Sequence, residues 1–180
     1  MRKIIVNEFL SLDGVMEAPE KWTFQYWNDE IQKVISDGFA RCDALLLGRV
    51  TYQAFADAFS SQTGPDADIM NAQRKYVVST TLKKADWNNS KLIKGNIAEE
   101  IAKLKQEPGK DIAISGAGTL AQSLLKLGLI DEYSLLVYPV VLGSGKRLFA
   151  DDSSTTLKLV EAKPLSSGVV HLTYQPEKKA

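Results

Sequence analysis

The chain has 180 residues, 44% of them hydrophobic and 24% charged, enough for one domain with a sizeable core. Basic and acidic residues balance at 22 each, so the net charge is zero and gives no electrostatic case for binding nucleic acid or a membrane surface. One cysteine, Cys42, and one histidine, His171, exclude an intrachain disulfide framework and an ordinary zinc site, so no metal is expected.

The first expected strand is Ile4 to Leu10. With Asn7 and Glu8 inside it, the opening stretch does not read as a signal peptide, and no apolar run approaches transmembrane length. A cytoplasmic protein of one domain, residues 1–180, is therefore expected. The turn Ser11-Leu12-Asp13-Gly14 follows, placing a carboxylate at a strand end, where open α/β sheets put their chemistry. Asp13 reads equally as a substrate-binding or proton-donating group and as an Asx-turn acid holding the loop. Trp22, Phe24, Tyr26 and Trp27 form an aromatic cluster after Pro19; it reads as the wall of a pocket for a flat ring or as side chains folded back on the core. Asn28 is expected to cap a helix whose apolar face is Ile31, Val34, Ile35 and Phe39.

A buried strand over Ala44 to Leu47 runs into Gly48-Arg49-Val50-Thr51-Tyr52, a strand–glycine–helix junction with a fixed cation and a hydroxyl. Arg49 suits bidentate phosphate binding, and Thr51 offers a hydroxyl donor while capping the helix. A third strand, Lys75 to Ser79, ends in the hydroxyls of Ser79, Thr80 and Thr81, which read as a ribose-phosphate contact or a solvated turn. A short strand at Leu92 to Lys94 and a helix capped by Asn96, with Ile97, Ile101 and Leu104 buried, lead to Pro108-Gly109.

The rest of the chain is organised around Asp111 to Phe149. Ile112 to Ser115 reads as a buried strand, and Gly116 and Gly118 permit a sharp turn and close approach by a ligand. Leu120, Leu124 and Leu127 then take helical spacing, with Gly128 at the C-cap. Ser115, Gly116, Ala117, Gly118, Thr119 and Leu120 together describe a strand, a glycine turn and a helix N-terminus, an anion site for a phosphorylated ligand. Gly116-x-Gly118-x-x-Ala121 also satisfies the Rossmann dinucleotide fingerprint, but that motif needs an acid ending the next strand, and Asp131 and Glu132 precede theirs. A strand over Tyr133 to Val141 is followed by half-exposed strands at Leu157 to Lys163 and Val169 to Gln175. His171, on the more polar face of the last, reads as a surface or edge residue. The order of elements predicts an α/β fold with three layers: a mixed, mostly parallel sheet, helices on both faces and an antiparallel end.

Taken in order, Ser11-Leu12-Asp13-Gly14, Gly48-Arg49-x-Thr51-Tyr52, Ser79-Thr80-Thr81, Ser115-Gly116-x-Gly118-x-Leu120 and Leu129-Ile130-Asp131-Glu132 through Leu148-Phe149 resemble the dihydrofolate reductase-like superfamily. The nearest group is that of the reductase domain of the bifunctional riboflavin-biosynthesis deaminase-reductase. The resemblance implies NADPH as cofactor, with phosphates at Gly48, Arg49, Val50 and Thr51, the adenosine ribose and its 2′-phosphate along Ser79 to Thr81, and the pyrophosphate at Ser115 to Leu120. It implies a heterocyclic small-molecule substrate and nicotinamide bordered by Ser11, Asp13 and Gly14, and it implies a homodimer; the residues themselves offer Trp22, Phe24 and Trp27 as an apolar wall for that substrate. Folate reduction departs from the pattern, because the first helix offers Asp29, Glu30 and Asp37 without the apolar, proline-rich setting of a catalytic acid. The deaminase of the bifunctional enzymes is expected to be a separate protein. The competing readings are a non-catalytic NADPH- or nucleotide-binding protein, a dihydrofolate reductase, and a Rossmann dehydrogenase built on Gly116 to Ala121.

Overall fold

The computed structural model describes residues 1–116 and 118–177. Its elements in chain order are β1 (Ile4–Ser11), α1 (Asp29–Arg41), β2 (Cys42–Gly48), α2 (Arg49–Phe59), α3 (Pro65–Ala72), β3 (Arg74–Val78), β4 (Ser90–Ile93), α4 (Ile97–Gln106), β5 (Asp111–Ser115), α5 (Gly118–Lys126), β6 (Glu132–Tyr138), β7 (Leu157–Pro164) and β8 (Val170–Pro176). The strands form one sheet in the order β4-β3-β2-β5-β1-β6-β8-β7. Pairing is parallel from β4 to β6 and antiparallel at β6–β8 and β8–β7, as the order of elements predicted.

Side chains alternate along each strand, and the alternation sorts the layers. Ile4 and Val6 of β1 share a cluster with Ile101 and Leu104 of α4 and with Leu120, Ala121 and Leu124 of α5. Ile5 points the other way, into a cluster with Phe39 of α1 and Tyr52, Phe55 and Phe59 of α2. Further along that second face, Ile31, Val34 and Ile35 of α1 cover Leu136 and Tyr138 of β6, together with Phe9 and Trp22.

Local chemistry explains most element boundaries. Asn28 caps α1 by accepting from the Ile31 amide at 3.0 Å, and Asn96 caps α4 by accepting from the Ala98 amide at 3.1 Å. Gly128, at φ +66°, closes α5 after Lys126, leaving Leu127 exposed rather than on the buried stripe. β6 stops at Tyr138, short of the expected Val141, because Pro139 has no N–H for the ladder. β7 is exposed along nearly its whole length rather than half-buried, with Leu157 at its start packed against the core.

Acids and bases gather at the amino ends of the parallel strands, away from the glycine turns. Asp131 accepts from the Ile4 amide at 2.8 Å and pairs with Lys105 at 2.6 Å, and Glu132 pairs with Arg41 at 2.9 Å. These two acids of the sequence motif therefore brace the sheet. Lys75 is a second brace: fully buried, its ammonium donates to the carbonyls of Asn71 (3.3 Å), Gln73 (2.8 Å) and Asn88 (3.0 Å) and lies 4.1 Å from the centre of the Trp87 ring.

Candidate functional site

The carboxyl ends of β2 and β5 are neighbours, in register at Leu46↔Ile114. From β2 the chain passes through α2 toward β3 on one side, and from β5 through α5 to β6 on the other. Such a reversal of winding opens a crevice between the two strand ends. Here it sets two helix N-termini side by side, at Arg49 and at Gly118. The Thr51 hydroxyl donates to the Gly116 carbonyl at 2.6 Å and ties the two junctions together. Thr51 was expected to cap α2; instead Gly48 occupies that position, and the hydroxyl reaches across to the neighbouring turn.

The turn requires glycine at 116, and at 118 the flexible end of Met16 packs where a Cβ would stand. Gly116 has φ +64°, and a Cβ there would lie 3.2 Å from Thr51 Cγ2; a Cβ on Gly118 would lie 2.8 Å from Met16 Sδ. The electrostatics are equally specific. No side chain caps α2, and neither α2 nor α5 carries an acid in its first turn. By contrast α1, α3 and α4 each carry two acids there, and asparagines cap α1 and α4. The two helices that open on the crevice thus present positive dipole ends that no acid of their own first turns offsets.

The crevice is a cleft of about 980 Å³. Gly48, Arg49, Val50, Thr51, Ser115, Gly116, Gly118, Thr119 and Leu120 all line it, so these nine predicted residues, from segments some 65 positions apart, meet in one place. Ala117 lies outside the described residues. Arg49 is exposed and donates to Gln53 Oε1 at 3.2 Å, keeping its charge without a carboxylate in that bond. Lys146 and Arg147 add cations, and Met16, Glu17 and Glu20 supply the opposite wall. Ser79, Thr80 and Thr81 do not line the cleft, although their neighbour Val78 does. The Ser79 hydroxyl is engaged in its own turn, accepting from the Thr81 amide at 3.2 Å and the Leu82 amide at 3.0 Å, while Thr80 and Thr81 are exposed.

The expected substrate residues fall elsewhere. Ser11, Asp13 and Gly14 build the loop above the cleft without lining it. Asp13 accepts from the Ser11 hydroxyl at 2.6 Å, the Leu142 amide at 3.1 Å and the Gly143 amide at 2.8 Å, and Arg147 donates to its backbone carbonyl. The Ser11 hydroxyl first, and then the two amides, hold the carboxyl down at about 2. It is an anion at neutral pH with acceptor sites already occupied, which favours the loop-holding reading over the proton-donating one. Trp22 is buried edge-on to Tyr138, ring centroids 5.5 Å apart, and donates to the Glu17 carbonyl at 3.0 Å. Phe24 and Trp27 are 69% and 43% exposed. None of the three lines the cleft or the pocket beside it: the aromatic cluster folds onto the core or faces solvent.

That pocket, of about 110 Å³, lies between α1 and the sheet and shares Asn7, Glu8, Phe9 and Ser115 with the cleft. Its floor carries Asn7, Ser115 and Ser134; Val34, Ile35, Gly38 and Phe39 of α1 roof it. A Cβ on Gly38 would lie 3.8 Å from Asn7 Oδ1, so the absent side chain leaves room above the asparagine. Sequence reasoning missed Asn7, Ser134, Met16, Lys146 and Arg147. For Asn7 a signal existed: a polar residue on the inward-facing period of an otherwise apolar strand.

A family model described as RibD C-terminal domain matches residues 2–171. Two Bacillus subtilis (strain 168) proteins align along nearly their whole lengths: YyaP at 36% identity, covering 96% of this chain and 94% of its own, and YwjB at 30%, covering 93% and 95%. A crystal structure described as a putative riboflavin biosynthesis protein from Shewanella sp. PV-4 superposes with a TM-score of 0.80 at 23% identity, over 98% of this chain and 99% of that one. Dihydrofolate reductase from Enterococcus faecalis complexed with NADP(H) superposes with a TM-score of 0.66 at 14% identity, over 98% and 97%.

Proposed function

The chain belongs to the RibD C-terminal domain family, and on that premise we propose that it is an NADPH-dependent oxidoreductase that reduces a planar pyrimidine- or pteridine-type heterocycle or its ribosyl derivative. The observation that carries the reading is the pairing, in one cleft, of two helix N-termini with no acid in their first turns, with a small, polar-floored pocket opening beside it. The amide groups at the starts of α2 and α5 suit a pyrophosphate, and Gly116, at φ +64°, makes the sharp turn that leads into α5. Arg49, with the exposed hydroxyls of Thr80 and Thr81 at the end of β3, is assigned to the 2′-phosphate.

NADPH, when bound, supplies the hydride. The proton that balances it comes from solvent, and the protein's own groups bind and orient the acceptor. Asn7, Ser115 and Ser134 orient a flat ring in the pocket beneath α1, and Phe9, Phe39 and Leu136 keep water from it. Asp13 contributes as a positioning anion, holding the Ser11–Gly14 turn against the loop at Leu142 and Gly143. Trp22, by packing on Tyr138, keeps the segment carrying Glu17 and Glu20 on the cleft wall. The homodimer expected from the relatives fits the edge strand β7, where Leu159 and Val160 are half-exposed.

Dihydrofolate reduction is the weaker reading. The α1 residues that roof the pocket are Val34, Ile35, Gly38 and Phe39, while Glu30 accepts from the Ser166 amide at 2.7 Å and Asp37 pairs with Lys33 at 2.9 Å. The test is calorimetric titration with NADPH and NADH, then NADPH oxidation with a panel of pyrimidines, pterins and flavins. Tighter binding of NADPH and turnover with a pyrimidine or pterin are expected. Equal binding of NADH removes the cofactor preference, and NADPH binding without any turnover favours a non-catalytic nucleotide-binding protein.

A further inference from the structure

Ser134, on the floor of the pocket, has a partner that no sequence motif flagged. Its hydroxyl lies 2.8 Å from Nε2 of His171 on β8. The antiparallel register sets Thr173 opposite Ser134 and His171 opposite Leu136, so His171 is the diagonal neighbour of Ser134 on the face that lines the pocket. The imidazole is half-buried and stands behind the serine without lining the pocket itself. It is therefore not the surface histidine that the polar face of the last strand suggested.

We propose that His171 is a positioning residue that sets the hydrogen-bonding polarity of Ser134 toward the heterocycle in the pocket. A serine hydroxyl has one hydrogen to give. With a neutral imidazole whose Nε2 is unprotonated, Ser134 donates to His171 and turns its lone pairs to the pocket, where they accept from a ring N–H. With an imidazolium, Nε2 donates to Ser134, and the hydroxyl presents its hydrogen to the pocket instead. The neutral tautomer protonated at Nδ1 thus selects a lactam or imide N–H, the group carried by pyrimidinediones and pterins, beside the amide of Asn7. Burial favours the neutral ring and lowers the histidine from its ordinary 6.5. The charged groups around it are Glu161 and Lys163 on β7, Arg41 on α1 and Glu132 on β6: two acids against two bases.

This inference rests on the pocket being the acceptor's seat, and the experiment separates the two. His171 is the chain's one histidine, so a single imidazole C2 proton resonance reports its titration. The resonance is followed against pH in the full-length protein saturated with NADPH, alone and with uracil, lumazine or pterin as probes. The free protein should titrate below 6.5. A bound probe should lower the midpoint further, with its affinity falling by about tenfold per pH unit below the midpoint, as one linked proton requires. Ser134→Ala should abolish the probe-induced shift while leaving NADPH binding unchanged. His171→Gln should retain probe binding without its pH dependence, a split that a merely structural histidine does not produce. If NADPH binds and no probe moves the midpoint, whether or not the probes bind, the inference is wrong and the cofactor reading stands. If NADPH does not bind, both fall.

Discussion

Gly38 offers the sharpest test of the pocket beneath α1. It sits in the last third of a 13-residue helix, with no positive φ to require a glycine there. A glycine inside a helix costs roughly 0.5–1 kcal/mol relative to alanine, because the unfolded chain loses more freedom. The Cβ of Gly38→Ala would meet Asn7 Oδ1 at 3.8 Å, an ordinary contact that forces nothing to move. The substitution should therefore stabilise the protein by about 0.5–1 kcal/mol, raising Tm by ~1–4 °C for a chain of this size. The same methyl projects into a pocket of only about 110 Å³, room for some three or four waters at ~30 Å³ each. Turnover of the panel heterocycle should fall by about tenfold or more, equivalent to about 1.4 kcal/mol, while NADPH affinity holds. Gly38→Leu, filling the pocket, should remove turnover. Differential scanning calorimetry, NADPH titration and steady-state oxidation measure the three quantities. A stabilised Ala variant with undiminished turnover would refute the assignment of the pocket, since Gly38 would then have no functional reason to interrupt the helix.

Four other outcomes are expected. Arg49→Ala should weaken NADPH binding by about 1.5–3 kcal/mol, the range for a hydrogen bond to a charged group, and weaken NADH binding less; calorimetry showing equal losses would detach Arg49 from the 2′-phosphate. Asp13→Asn should leave NADPH affinity intact, lower kcat/KM by about 10²-fold and speed hydrogen exchange at Leu142 and Gly143. Because the folded carboxyl of Asp13 is held at about 2, below its ordinary 3.8, its contribution to stability is complete above the ordinary value and is lost as pH falls through the folded one. The wild-type advantage over Asn in urea melts should accordingly stay flat near neutrality and vanish only in strong acid; a loss near neutrality would contradict the hydrogen bonding of Asp13. Lys75→Met strips three backbone carbonyls of their donor at ~1–3 kcal/mol each, so at least about 3 kcal/mol and ~6–12 °C of Tm should be lost; a smaller loss would mean that water replaces the ammonium. Sedimentation at micromolar concentration should show a dimer, dissociated by Val160→Lys on β7, and a monomeric wild type would remove the edge-strand reading.

What the sequence determined by itself was local. Glycine after a buried strand and before helical spacing marked both strand–helix junctions, because the need for positive φ is a property of one residue, as at Gly116. Asn28 and Asn96 announced their helices for the same reason: a cap is satisfied within three residues. Recurrence of those junctions in order carried the parallel sheet with its antiparallel end. What the tertiary structure decided was proximity between distant segments. β1 lies between β5 and β6, and that placement brings Asn7, Ser115 and Ser134 together on one floor, across more than a hundred positions of sequence. It also decided which acceptor satisfies a polar group. Asp13 closed its bonds on the loop at Leu142 and Gly143, and Thr51 on Gly116, although both read as ligand contacts or caps. For the aromatic cluster, spacing could not choose between core and solvent, because neighbours in a loop have no fixed period; Tyr138 took Trp22 into the core and left Phe24 outside. His171 reached Ser134 by the same route, through a strand register that no local pattern of residues encodes.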